Sequence, residues 1–487
     1  MELDQESVAY YSARIEELIN GIDRGDFSRD IIPDSYSWMH LMGLFLLRDS
    51  LDGGGELFEH LYDVTTAAAI RRLQDKYKSG RKINVIFQSY SAAQWPAEGV
   101  YRLFESNNSF DAKILVTPLD DRDENSCRDS YNKTLEWFKS SGHKVLEGVD
   151  PRTGRFRSWN DFGDYPDIVF QLSSWFSSTP QSLWFAALPL QCLLLYIPYG
   201  IQFAENQQGT FAPEAVYNKE IFNLVWRIYC DSESTLSGYR KYQLLKGKNV
   251  AFSGYAKMDY FYEDGDFSDE LIRALWKIPG NKSPNEVKRI IIAPHYSVLQ
   301  KGWLLFSTFR ENLWFMLYLA KKYRDKVSFI LKPHPNLRYA SVAGKLFKDY
   351  ESYDKYLEEW NALPNAKVVE EASYLEFFST SDAMMTDSVS FLGEYLYVNK
   401  PLLLLTRPEQ SFLELGRKVT NSYYKAPGTD YEKIEEFLQN VVIEGHDIMS
   451  GQREEVFKKE LDYVTANGCG ASEYVYGDIM KILKDDS

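Results

Sequence analysis

Four cysteines in 487 residues, at 127, 192, 230 and 469, stand far apart and form no CxxC pair. Neither a disulfide framework nor a zinc site is expected, and a reducing, cytoplasmic compartment fits. A long apolar run is also missing. The most hydrophobic stretch, 183–199, is broken by Pro189, Gln191 and Pro198 and falls short of the roughly 20 residues of a membrane-spanning helix. It reads as buried strand with flanking turns. Positive charge is in deficit, with 55 Lys and Arg against 70 Asp and Glu and a formal net charge of −15. That balance repels polyanions and sets general nucleic-acid binding aside. One basic stretch, RRLQDKYKSGRK at 71–82, suits contact with anionic lipid or an acidic acceptor, and equally suits a solvated helix end. The leading MELDQESVAYYSARIEELI has neither the basic start nor the apolar centre of a secretory signal, so export is not expected. No P-loop, internal repeat or low-complexity segment occurs, and ATP hydrolysis is not suggested.

What is present is apolar bulk in short pieces. Apolar residues make up 44% and aromatics 15%, enough to fill two cores, and the length predicts two large domains. Residues 1–75 carry helix-spaced apolar positions such as Ile15, Leu18 and Ile19, a helical lead-in. Short runs then alternate with longer amphipathic segments, at 83–87, 114–116, 168–170 and 193–197. After a polar break at 246–248 a second series follows, at 290–293, 327–331, 367–369, 383–386 and 402–405. Between them, 311–324 spaces Leu313, Trp314, Leu317 and Ala320 as one helical face. This is the pattern of two doubly wound α/β domains with parallel sheets. The expected division is 1–75 helical, 76–245 first domain, 246–445 second domain, and 446–487 helical, packing back on the first.

In open α/β sheets ligands bind beyond the carboxyl ends of the strands, which singles out three segments. The first is Pro294, His295, Tyr296 and Ser297. The second is Lys332, Pro333, His334, Pro335 and Asn336, with Arg338 close by. The third runs from Thr386 through Asp387, Ser388 and Val389 to Ser390. The prolines hold His334 in a fixed backbone, which suits a positioned catalytic or phosphate-binding imidazole and also a histidine satisfying a strand end. Thr386 to Ser390 places hydroxyls at an expected helix start, where free N–H groups favour phosphate; ordinary capping is the plainer alternative. Asp387 would orient His334 or cap the helix. Together these segments describe a pocket for a diphosphate.

The segments SGYAKMDYF at 253–261, IIIAPHYS at 290–297, FSTFRENLWFMLYLAKKY at 306–323, FILKPHPNLRYA at 329–340 and TSDAMMTDSVSFLGEYLYVNKPLLLL at 380–405 resemble, in order and spacing, the CDP-glycerol glycerophosphotransferases. Members of that family build teichoic-acid-like and capsular polymers. VIFQSYSAAQWPAEGVYRLFE at 85–105 and PDIVFQLSSWF followed by YIPYG are similar to the amino-terminal domain of capsule-type relatives. The resemblance implies a GT-B fold whose two Rossmann-like domains face a central cleft, with acceptor toward the first domain and CDP-linked donor in the second. It maps His334 to the family's cleft histidine and Asp387, Ser388 and Ser390 to its donor-phosphate segment. Polymerase members carry a Q-T-W-H-G-T-like segment with a histidine base where this chain has Ile197, Pro198, Tyr199 and Gly200. The base is therefore open between His334 and His295, with Tyr199 and Gly200 counted toward substrate.

The implied activity is transfer of glycerol phosphate, or a related alditol phosphate, from a CDP-linked donor to a hydroxyl of a glycan or polyol-phosphate acceptor, releasing CMP. Lys332, Arg338, Thr386, Ser388 and Ser390 would hold phosphates, and Glu394 either binds the nucleotide ribose or occupies an exposed helical position. No cofactor and no metal are expected. The partners would be donor and acceptor, with peripheral contact to the inner membrane face. Two other readings remain: a GT-B glycosyltransferase using a nucleotide sugar, and a non-catalytic scaffold of the same fold. The Asp121-x-Asp123 pair resembles the metal motif of a different transferase class, but such pairs are common in acidic loops.

Overall fold

A computed structural model describes residues 54–484 apart from 164, 186–187, 189–191, 207–211, 264, 266, 281, 300–301, 303 and 371–372, together with residue 13. Ile15, Leu18 and Ile19 lie outside the described residues, as does most of the expected helical lead-in. Its last part is a helix, Gly54–Lys78.

Two parallel sheets carry the chain. The first contains β1 (Ile83–Ser89), β2 (Phe110–Val116), β3 (Val145–Glu147), β4 (Ile168–Gln171), β5 (Leu193–Tyr196), β6 (Arg227–Cys230) and β7 (Val250–Phe252), in the order β3-β2-β1-β4-β5-β6-β7. The second contains β8 (Lys288–Ala293), β9 (Val327–Leu331), β10 (Ala366–Val368), β11 (Ala383–Thr386), β12 (Leu402–Thr406) and β13 (Tyr424–Pro427), in the order β10-β9-β8-β11-β12-β13. Central strands such as β9 and β11 are buried along their whole length. A parallel sheet covered by helices on both faces demands such uniformly apolar strands.

Among the described residues, the first compact unit comprises 54–200, 216–259 and 463–484. Phe87 on β1 and Phe170 on β4 are register partners whose rings stack at 4.5 Å. The helix Ala471–Lys484 returns to this unit: Asp478 pairs with Arg227 at 3.0 Å, and the Tyr476 hydroxyl accepts from Asn107 at 2.7 Å. Gly254 marks where the returning chain settles. Its φ is +85°, and an added Cβ would stand 2.0 Å from the Tyr463 ring, so glycine is required there.

The second unit comprises 201–215 and 260–462. Its helix Phe309–Lys322 buries Leu313, Met316, Leu317, Leu319 and Ala320 against the sheet. Trp314, expected on that face, is 57% exposed and meets Tyr356 edge-on at 5.3 Å. At 100° per residue it falls beside the apolar stripe rather than within it.

Candidate functional site

β9, β8 and β11 are neighbours at the centre of the second sheet. The chain runs from β8 outward to β9 and β10, then crosses to the other side of β8 for β11. The loops after β8 and β11 part at this topological switch point, the customary ligand position of an open α/β sheet.

His295 follows β8 and is buried. Its N–H donates to Asp387 Oδ1 at 2.6 Å, and its Nδ1 lies 2.8 Å from Ser297 Oγ. That oxygen already accepts the N–H groups of Phe306 and Ser307, at 3.0 and 3.2 Å. Its own proton therefore points to Nδ1, which the Ser297 N–H also approaches at 3.3 Å. The hydrogen-bond network thus assigns the proton of the neutral ring to Nε2.

His334 follows β9, half-buried between its two prolines, and reaches the same tautomer by a different route. Its Nδ1 accepts the Asn336 N–H at 3.1 Å, and its own N–H donates to the Pro294 carbonyl at 3.2 Å. The two imidazoles stand 5.5 Å apart at 65°, with the Tyr296 ring 4.4 Å from one and 4.6 Å from the other. Burial, reinforced by the neighbouring His334, holds His295 well below the ordinary imidazole range. Burial and then the Lys332 ammonium push His334 down to about 4. Both rings are neutral N–H donors near pH 7.

Lys332 is buried with its Nζ 5.5 Å from the centre of the Tyr374 ring. The Tyr374 hydroxyl donates to Glu394 Oε2 at 2.5 Å, and Glu394 is itself buried. This corrects the exposed alternative for Glu394: the glutamate turns inward because Tyr374 gives it a partner.

Asp387 accepts from the His295 N–H and from the N–H and the hydroxyl of Thr308, the latter at 2.9 Å. Thr308 immediately precedes the helix Phe309–Lys322, so Asp387 caps that helix from another element. The described bonds do not join it to His334. Burial lifts its carboxyl to about 6 against the lowering effect of those donors. Thr386 is spent internally, donating to the Ala293 carbonyl at 2.7 Å and accepting from the Ser388 N–H at 2.8 Å.

The expected helix start is shorter than anticipated. The helix spans Ser390–Glu394, five residues, with Val389 at its cap position and no side-chain cap bond. Capping by Ser388 or Ser390 is therefore not observed. Arg338 is committed elsewhere: it forms a two-pronged pair with Asp354 at 2.8 and 2.7 Å and lies 4.3 Å over the Tyr350 ring. It anchors the helix Tyr350–Asn361, leaving Lys332 as the cation beside the imidazoles. Tyr199 and Gly200 follow β5 in the first unit, where the Tyr199 hydroxyl accepts from Trp175 Nε1 at 3.2 Å. Asp121 pairs with Arg122, and Asp123 caps the helix Glu124–Ser140, so neither is held in reserve for a metal.

Sequence reading named one residue that shapes this site without giving it a role, and missed another. Ser297, which fixes the His295 tautomer, was visible as a hydroxyl two residues after the imidazole. Tyr374, which binds Glu394, carries no local signal because it lies 20 residues away along the chain.

The paired parallel sheets define a two-domain α/β protein of the GT-B-like class. A variant of the wall teichoic acid polymerase TagF is similar in structure, with a TM-score of 0.51 and 13% identity over 92% of this chain and 98% of that one. The UDP-GlcNAc 2-epimerase of Neisseria meningitidis bound to UDP-GlcNAc overlays with a TM-score of 0.50 and 16% identity, over 82% of this chain and 100% of that one. No protein-family profile and no curated protein sequence matches the chain. At such identities the likeness concerns the fold. Among the described residues no helix is long and apolar enough to cross a membrane.

Proposed function

We propose that this chain is a transferase that moves glycerol phosphate, or a related alditol phosphate, from a CDP-linked donor to a hydroxyl of a glycan or polyol-phosphate acceptor, releasing CMP. The observation that carries the reading is the pair of neutral imidazoles at the switch point of the second sheet, with Lys332 beside His334 and with Ser388 and Ser390 in the segment that follows β11 there. A diphosphate is a dense acceptor of hydrogen bonds. Two Nε2–H groups, an ammonium and two hydroxyls offer it donors without requiring the rings to be charged.

In the reaction the acceptor oxygen bonds to the β-phosphorus as the bond to the CMP oxygen breaks. CMP leaves with the electron pair of that bond, and the acceptor proton passes to solvent or to a base. Phosphoryl transfer depends chiefly on positioning and on stabilising charge at the phosphoryl oxygens. His295 and His334 fit that task better than proton abstraction, because each Nδ1 is occupied and each neutral Nε2 already bears hydrogen. The likeness to TagF, a wall teichoic acid polymerase, supports the polymer-synthesis setting. A nucleotide-sugar donor is the second reading, supported by the likeness to an epimerase bound to UDP-GlcNAc; the buried Glu394 and Tyr374 pair would serve the ribose of either donor.

Calorimetry with CDP-glycerol, CDP-ribitol and nucleotide sugars separates these donors. CDP-alditols should bind, and Ser390→Ala should weaken that binding by about 1–3 kcal/mol with little change in melting, since Ser390 caps nothing. Binding of UDP- or GDP-sugars with CDP-alditols inert would move the assignment to a glycosyltransferase.

A further inference from the structure

The first sheet repeats the topology of the second. Its chain runs from β1 to β2 and β3 on one side, then crosses to pair β4 with the other side of β1. The loops after β1 and β4 therefore part at a second switch point. Tyr90, after β1, and Ser173, after β4, meet there with their hydroxyl oxygens 3.2 Å apart. The next two residues, Ser174 and Trp175, hold a cation: Lys219 Nζ donates to Ser174 Oγ at 2.8 Å and sits 4.0 Å from the centre of the Trp175 ring. Trp175 is itself fixed by the Tyr199 hydroxyl.

Lys219 is half-buried, and it forms no ion pair with the described residues. The titratable groups around this cluster are Glu220, Tyr90, Tyr196 and Tyr199, with Asp121 and Arg122 acting on Tyr90 and Asp231 acting on Tyr196. Of these Glu220, its chain neighbour, favours the ammonium but does not pair with it. Burial pulls the lysine down to about 8. An ammonium has three donors; Ser174 takes one, and the Trp175 face attracts the charge without supplying an acceptor oxygen. A partly desolvated cation without a counter-charge is unfavourable, and an arriving anion relieves it. The described histidines of this unit offer no substitute. His143 has both ring nitrogens engaged, by the Phe138 carbonyl and by Glu98, and His60 lies exposed on the helix Gly54–Lys78.

We propose that Lys219, seated between Ser174 and Trp175 at the switch point of the first sheet, is an anion site that receives the phosphate of a phosphate-bearing acceptor. The site stands on its own geometry; only its assignment to the acceptor rests on the transfer reaction proposed above.

Lysine acylation by limiting acetic anhydride at about pH 8, followed residue by residue in the full chain by mass spectrometry, reads this site directly and needs no donor. Glycerol 3-phosphate and inorganic phosphate should each slow labelling of Lys219 by about tenfold or more at saturation, leaving exposed Lys133 and Lys458 unchanged, while glycerol has no effect. In equilibrium dialysis K219M should lose about tenfold or more in glycerol 3-phosphate affinity, with K219R retaining most of it; circular dichroism and melting confirm folding. Unprotected Lys219 at saturating phosphate compounds would overturn the proposal. Equal protection by glycerol would replace the anion site with a neutral polyol site. If K219M fails to fold, the labelling result and K219R decide. Failure of the chain to turn over CDP-alditols while Lys219 is still protected would remove the acceptor role and leave the anion site standing.

Discussion

At His334 a single backbone contact decides what the ring can do. The Asn336 N–H cannot become an acceptor, so a neutral His334 keeps its hydrogen on Nε2. The ring also resists protonation, with its pKa pushed down to about 4 from an unfolded value near 6.5. The sign of the pH effect follows. As pH falls below about 6.5 the unfolded chain takes up this proton first, so the folded state loses stability down to about pH 4. Asp387 acts oppositely, because a carboxyl raised to about 6 holds its proton more tightly when folded. Its contribution is present below about pH 4 and lost as pH rises toward about 6. His334→Gln removes the first effect and leaves the second. Urea unfolding should show the variant gaining about 1–2 kcal/mol relative to the unsubstituted protein between about pH 7 and 4.5, allowing for the partly exposed ring. An offset independent of pH would mean that His334 titrates as an ordinary histidine. The sequence marked this residue well, through its prolines and its place after a strand, but the tautomer depends on a turn geometry that no spacing encodes.

At the scale of elements the decisive contact is Asp387, which ties the end of β11 to the loop after β8 and to the start of the helix Phe309–Lys322. Asp387→Ala leaves two buried N–H groups and a hydroxyl without their acceptor. It should destabilise the protein by about 2–4 kcal/mol in urea unfolding. A loss below about 1 kcal/mol would show that water or a neighbour replaces the carboxylate. The strands that build the site, β8, β9 and β11, were legible because each is a run of apolar residues buried on both faces. Four strands were not: β3, β6, β7 and β13 are three or four residues long, and all but β7 contain a charged residue or proline, Glu147, Arg227, or Lys425 and Pro427. Three of these, β3, β7 and β13, are edge strands and β6 lies next to an edge, where one-sided burial tolerates such residues and blurs the pattern. Arg338 shows a different limit. Its position near His334 in the chain suggested phosphate, whereas a helical turn carries its side chain to Asp354.

For the whole molecule, the alternation of short apolar runs and amphipathic segments announced two parallel sheets, and both are present. Long-range connections were less visible. The first sheet takes β7 from beyond the polar break at 246–248, pairing Val250 with Ile228, and the chain returns to that unit at Tyr463 over Gly254. The Gly254–Tyr463 contact joins residues more than 200 positions apart, and such contacts leave no periodic trace in either partner. The resemblance to glycerophosphotransferases rests on segments around both sheets, and the switch points of those sheets hold the two polar clusters on which the functional account depends. The most direct test is whether the purified full chain releases CMP from CDP-glycerol or CDP-ribitol when given a polyol-phosphate or glycan acceptor, with product followed by mass spectrometry. The account predicts one CMP for each alditol phosphate transferred to the acceptor. Release of UDP or GDP from a nucleotide sugar, with CDP-alditols left intact under the same conditions, would contradict it.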